Sequence, residues 1–315
     1  MPAPLVCCGL TTLDVTQTLD RVPAPDEKVV ADGLDVTFGG PAANAAAVAV
    51  GLGVPTTLVT VLGAGPLADV ARAGLAAAGV RVVDLAPHAA DVLPVSTVLV
   101  TRATGERAVV SVNGARTSRL PAPAPDVVQG AGALLVDGHH PDAALVLARA
   151  ARAAGVPVLL DGGSWKPSTP ELLATVDLAV LSADFRLPSA LAGVGVAQHA
   201  VDALLDAVAA LGPSFVARSA GAGAVRVRRV AADGRPVRSA LRPAAVPAGR
   251  VVDTLGAGDV LHGAMAAALA RGDDALDALA DGVRWATVSV QHAGARGWLA
   301  ATGPGARLPE SEPRG

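Results

Sequence analysis

From about residue 42 the chain alternates stretches of small, helix-compatible residues with short runs of Val and Leu, and this rhythm narrows the possible folds more than any other feature. Strand candidates include Thr57–Leu62, Val80–Asp84, Ala133–Val136, Val156–Asp161, Leu178–Leu181 and Phe215–Arg218. Between them lie helical stretches such as Leu67–Ala78, Asp142–Ala154 and Val201–Ala210. Repeated βα units place successive strands side by side in one direction and cover both faces of the sheet with helices. The expected fold class is therefore α/β, with a mainly parallel central sheet. At 315 residues and 51% apolar composition, the chain can bury a large core as one domain or two.

Two segments break the rhythm. Val15–Phe38 and Pro94–Asn113 mix polar and apolar residues in alternation, and Thr97–Val112 reads as a hairpin with Thr104-Gly105 near its turn. The Pro-rich Leu120–Pro125 reads as a connector, and Gly303–Gly315 as a disordered tail. A net charge of −3 offers no electrostatic footprint for nucleic acid, and 2% aromatics without Tyr offer no stacking platform for single strands. Cys7 and Cys8, adjacent on a predicted strand, point to opposite faces and cannot start a disulfide framework. The N-terminus lacks the basic and long apolar regions of a signal peptide. The uncharged stretch Val36–Ala68 is divided by Asn44, Gly51, Gly53 and Pro55 into pieces too short to span a bilayer. A cytoplasmic protein without membrane association is expected.

The chemistry gathers at Val251-Val252-Asp253-Thr254-Leu255-Gly256-Ala257-Gly258-Asp259, which leads into the small-residue run Val260–Ala270. Two β-branched residues suggest a strand end, the glycines a turn, and the Ala-rich run a helix. The first N–H groups of such a helix lack partners and add to about half an elementary positive charge, a ready anion pocket. Gly256 and Gly258 let the backbone approach a phosphate. Asp259 would repel that phosphate unless it takes a proton from the group that attacks it. A capped turn with no chemistry is the plainer alternative. A second motif, Phe38-Gly39-Gly40-Pro41-Ala42-Ala43-Asn44, also opens an Ala-rich helix and sets one amide side chain in its first turn.

Together, Gly39–Asn44 and Asp253–Asp259 resemble the two signatures of the ribokinase-like, or PfkB-type, carbohydrate kinases, with matching spacing and length over residues 5 to 300. The loop at Gly65-Pro66, Arg107 and Arg250–Gly256 are similar to the ketohexokinase or fructokinase branch. The resemblance implies an α/β core over residues 1–14, 38–93 and 114–302, and a discontinuous β lid over 15–37 and 94–113 that often serves as a homodimer interface. It implies Asp259 as catalytic base and Gly256, Ala257 and Gly258 as the anion hole for the γ-phosphoryl group of ATP. Asp14, Gly39, Gly40, Asn44 and Arg107 would bind the sugar. Gly223 matches the last glycine of the nucleotide loop, with Ser219 and Gly221 beside it, although Ser219 and Ala220 depart from the usual residues. Asp184, in Ser182-Ala183-Asp184-Phe185, would replace an Asn-x-x-Glu element near Mg²⁺. Asp161 and Lys166 could face the phosphates, and Asp253 could hold a monovalent cation such as K⁺. Nucleoside kinases share both signatures and remain an alternative, as does a non-catalytic sugar-sensing relative.

A rival from another class lies at Gly63-Ala64-Gly65-Pro66-Leu67-Ala68, which with Asp84 satisfies the G-x-G-x-x-A dinucleotide pattern of an NAD(P)-dependent oxidoreductase. His139-His140 lacks a third metal ligand at useful spacing. His262 and His292 are isolated histidines on helical segments, without assigned chemistry. The chain has no P-loop sequence.

Overall fold

The computed structural model describes residues 2–104, 106–112, 120–192 and 201–302. The strands are β1 (Leu5–Cys8), β2 (Thr12–Leu19), β3 (Gly33–Gly39), β4 (Thr56–Thr60), β5 (Arg81–Asp84), β6 (Val95–Thr101), β7 (Arg107–Ser111), β8 (Ala133–Val136), β9 (Val158–Gly162), β10 (Leu178–Leu181), β11 (Phe215–Arg218), β12 (Val225–Val230) and β13 (Pro236–Leu241). The helices are α1 (Pro41–Gly51), α2 (Pro66–Ala77), α3 (Pro141–Ala153), α4 (Thr169–Leu173), α5 (Ser189–Ala192), α6 (Val201–Ala209), α7 (Ala257–Arg271), α8 (Ala275–Ser289) and α9 (Gly297–Thr302). Residues 303–315, expected as a tail, and Gly105 of the expected turn lie outside the described residues.

The main sheet has the order β13-β12-β11-β10-β9-β8-β1-β4-β5. It is parallel from β11 through β5, and antiparallel where β12 and β13 extend one edge. β1 sits between β4 and β8 and is buried along its length, which is why its sequence is an unbroken apolar run. Leu5 and Cys7 face one apolar layer with α1, α7 and α8, while Val6 and Cys8 face the other with α3. The two cysteines are free and on opposite faces, as their adjacency requires.

The packing of α1 on α7 determines where the site forms. Both helices present small residues, and a Cβ on Gly263 of α7 would lie 2.6 Å from the Ala45 carbonyl of α1. Backbones this close bring the two N-terminal turns together at the carboxyl edge of the sheet, where ligands of open α/β sheets bind. Pro41 opens α1, where its missing N–H costs nothing. Gly40 before it has φ of 96°, and a Cβ there would sit 2.5 Å from the Leu10 carbonyl.

A second sheet, in the order β3-β2-β6-β7, forms from the segments that broke the rhythm. β2 pairs with β6 in parallel, while β2–β3 and β6–β7 are antiparallel. Leu34, Val36, Val109 and Val110 are exposed on its strands. One local expectation fails. Val251 and Val252 end no strand: after the 3₁₀ turn Ala248–Arg250 they run as an exposed connection, with the Val252 and Asp253 amides donating to the Val290 carbonyl at 2.8 and 3.1 Å. Their backbone is held instead by the C-terminal end of α8, of which Val290 is the capping residue. Among the described residues no helix is long and apolar enough to cross a membrane.

Candidate active site

The first turn of α7 carries the residues singled out in the sequence. Gly256 precedes it with φ of 73°, and a Cβ at that position would collide with Ala295, so only glycine allows this entry. Ala257, Gly258 and Asp259 follow as the first three helical residues, with their N–H groups at the helix start. Asn44, in the first turn of α1, donates from Nδ2 to Asp259 Oδ2 at 2.6 Å. Its Oδ1 accepts from the Arg296 guanidinium. A guanidinium only donates, so Arg296 determines which end of the amide faces Asp259. Arg296 also donates to Thr37 Oγ1 at 2.7 Å and to the Phe38 carbonyl at 2.8 Å, and its guanidinium stacks 3.7 Å above the Phe38 ring. Asn44, expected to face a sugar, thus gives one of its two amide donors to the carboxylate of Asp259.

Burial pushes the Asp259 carboxyl up to about 7, and the nearby charge of Asp161 adds to the rise against the bond from Asn44. Asp161, on β9, is itself buried, which raises its own carboxyl, with His262 acting in the opposite direction. Asp137 follows β8 on the same edge and behaves differently. It accepts from the amides of Leu10 at 2.8 Å, His139 at 2.9 Å and Ala42 at 3.2 Å, with His139 Nδ1 3.1 Å away. Burial would raise it, yet the His139 side chain and the amides of Leu10 and His139 outweigh burial and hold it at about 2. Ala42 belongs to α1, so Asp137 ties the start of α1 to β8 and to the segment after β1.

The second sheet reaches this edge through two residues. Asp14, on β2, accepts from Thr12 Oγ1 at 2.8 Å, and its carboxylate lies so close to Gly39 that any side chain there would collide with it. Arg107, on β7, pairs with Asp253 instead of standing free to meet a substrate. Asp253 Oδ1 also accepts from the Leu255 amide and Oδ2 from the Gly294 amide, each at 2.8 Å. The pair couples the small sheet to the loop that enters α7.

The pfkB family carbohydrate kinase model matches residues 3–301. The chain belongs to that family. It is therefore a carbohydrate kinase. It is 29% identical over 304 residues to the ribokinase of Arabidopsis thaliana, covering 93% of this chain and 77% of that protein. The structure of Arabidopsis thaliana ribokinase complexed with ribose and ATP superposes with a TM-score of 0.71 at 25% identity, covering 93% of this chain and 94% of that one. Ribokinase from Thermotoga maritima shares the fold at a TM-score of 0.73 and 19% identity, over 93% of this chain and 95% of that one.

Along the kinase's carboxyl edge, β9, β10 and β11 end in register, Gly162 against Leu181 and Leu181 against Arg218. Ser182, Ala183 and Asp184 continue from β10, with Asp184 exposed. The Ser219–Gly223 segment is a hairpin turn between β11 and β12, with Gly221 at φ of 56° and the Gly223 amide donating to the Ala220 carbonyl at 2.8 Å. Two cations unmarked by the sequence reading stand beside it. Arg186 donates to the Ala183 carbonyl at 2.6 Å, and Arg218 donates to the same oxygen. The carboxyl edge thus carries a positive pair next to Asp184.

The dinucleotide pattern at Gly63–Ala68 has another use in the kinase. Asp84 accepts from the amides of Leu62 at 3.1 Å, Gly63 at 3.1 Å and Ala86 at 3.0 Å, and pairs with Arg72 at 3.2 Å. Its carboxylate is consumed in holding the β4–α2 loop, where a dinucleotide site needs it for ribose. Among the described residues no group of three or more His, Cys, Asp or Glu could hold a metal, so the His139-His140 pair remains without partners of that kind. Arg296, Asp137 and His262 were missed because nothing local marks them. The one available signal is that His262 follows Asp259 at i+3, on the same face of a helix.

Proposed function

We propose that this kinase transfers the γ-phosphoryl group of ATP to a hydroxyl of a free sugar, with Asp259 as general base and the amides of Gly256, Ala257 and Gly258 as the anion hole. The observation that carries the reading is Asp259 itself: a carboxylate at the positive end of α7, gripped by Asn44 and raised to about 7. A base poised near neutrality accepts a hydroxyl proton while remaining ionised in a useful fraction. The sugar oxygen then attacks the γ-phosphorus, the bond to the bridging oxygen breaks, and ADP leaves. The helix amides hold the equatorial oxygens, on which the charge accumulates in a loose transition state. Asp14, Gly39 and Gly40 are proposed to meet the sugar, and Ser219, Gly221 and Gly223 the nucleotide. ATP is the nucleotide bound in the Arabidopsis complex.

Mg²⁺ would neutralise the nucleotide phosphates. It binds through one or two carboxylates plus phosphate and water, and the exposed Asp184 carboxylate at the carboxyl edge fits that demand. K⁺ does not fit at Asp253, whose oxygens accept from Arg107, Leu255 and Gly294; Arg107 already supplies the positive charge there. The small sheet is proposed to close over the sugar and, through its exposed apolar strands, to pair with a second copy; sedimentation of the wild type against a Val110→Lys variant tests this.

The deciding experiment measures ADP release from ATP·Mg²⁺ across ketoses, aldoses including ribose, and nucleosides, beside Asp259→Ala. Turnover with one sugar that disappears in the variant supports the reading. Turnover confined to nucleosides overturns the sugar assignment, and an Asp259→Ala enzyme that keeps more than about a tenth of the rate overturns the base, whose removal should cost about 10²–10⁴-fold.

A further inference from the structure

His262 stands one turn beyond Asp259 on α7 and is 5% exposed. Its Nδ1 lies 2.7 Å from the Gly258 carbonyl oxygen and 3.4 Å from Asp161 Oδ2, and its Nε2 lies 3.0 Å from the Val180 carbonyl oxygen. Carbonyl oxygens carry no proton and only accept. A neutral imidazole has a single N–H, so one of its nitrogens would turn a lone pair toward an oxygen lone pair at hydrogen-bond distance. In a buried place that mismatch is costly, because neither atom can turn to water. An imidazolium donates from both nitrogens and satisfies both carbonyls. Its charge needs a buried counterion, and the Asp161 carboxylate is beside Nδ1.

We propose that His262 is held as an imidazolium paired with Asp161, and that this pair is a positioning element behind the catalytic base. The proposal rests on the reading of Asp259 as that base. The pair does two things. It pins the Gly258 carbonyl, and with it the first turn of α7, to the end of β10. It also offsets the charge of Asp161, which pushes the Asp259 carboxyl up. The other groups that act here are Asp137, His139 and Lys166 toward Asp161, and Asn44, Arg296 and Asp137 toward Asp259. Position 262 is therefore a site where a charge, and not merely a shape, is required.

Two measurements test this. In long-range ¹H–¹⁵N spectra of protein labelled at histidine, the signal lost in His262→Gln should show two protonated ring nitrogens at pH 7. An unprotonated ring nitrogen on that residue overturns the proposal. In pH profiles of kcat/KM, Asp161→Asn should move the acid limb down by about one pH unit, because a negative neighbour of Asp259 is removed. His262→Gln should move it up by a similar amount, because a positive neighbour is removed. A limb that stays in place in both variants reduces His262 to a packing role and overturns the claim. Should His262→Gln fail to fold, the wild-type signal is assigned by replacing the other histidines, and Asp161→Asn still reports on the limb. The spectra need no substrate, so a protein that phosphorylates no sugar would sink the proposed function while the protonation of His262 is still decided.

Discussion

Asp137, after β8, and Asp259, in the first turn of α7, lie at the same carboxyl edge of the main sheet, both drawn into the protein, yet one is held at about 2 and the other is pushed up to about 7. The difference lies in the donors each one meets. Asp137 faces three amides and His139, so its charge is solvated by the fold and joins α1, β8 and the segment after β1. Asp259 receives one bond, from Asn44, and looks toward a second carboxylate. A carboxylate saturated with donors is a strut, and one left short of donors keeps its affinity for a proton.

The largest effect that could break this comparison is on rate. Asp259→Asn should lower kcat by about 10²–10⁴-fold while circular dichroism and the melting transition stay cooperative. Asp137→Ala should act on stability instead, costing about 3 kcal/mol in urea unfolding, because buried amides are left without an acceptor. If Asp137→Ala kept full stability, the strut reading would be wrong.

The pH dependences should separate the two groups as well. kcat/KM should fall as pH drops through about 7, where Asp259 takes up its proton. The stability contributed by Asp137, whose folded value is depressed, should be intact above the ordinary carboxylate range and disappear as pH falls toward 2. For Asp259 the sign reverses. Its folded value is raised, so the cost of ionising it builds up as pH rises from about 4 to about 7 and is fully present at pH 8, where Asp259→Asn should melt higher than the wild type by about 2 °C. That gap should close when both measurements are repeated near pH 4. The smallest effect expected is at the coupling between the sheets. Arg107→Met should reduce kcat/KM about tenfold by freeing the small sheet from the loop before α7, an effect on the order of 1.4 kcal/mol. Exchange of K⁺ for Na⁺ should leave the wild-type rate unchanged.

Much of this protein was legible in one dimension. The βα rhythm gave the parallel sheet because strands buried on both faces must be apolar throughout and helices must cover them. The two glycine motifs could be read because a helix N-terminus that approaches a ligand needs residues without a Cβ, a local requirement that leaves a local trace. Asp259 stood out because it follows such a motif. Val251 and Val252 misled because their β-branched composition is compatible with a strand, while the fold docks this segment on the end of α8, where the Val252 and Asp253 amides bond the Val290 carbonyl. Arg107 and Asp253 lie far apart in the chain, and each alone looked like a ligand for something else until the fold set them against each other. The sequence by itself thus determined the architecture and the glycine motif that sets Asp259 in the first turn of α7, since these follow from periodicity and from contiguous residues. Only the tertiary structure decided that Arg296 turns Asn44 toward Asp259, that Asp137 is a strut and that His262 faces two carbonyls, because hydrogen-bond partners and the local dielectric are set by segments that meet only when the sheet is assembled.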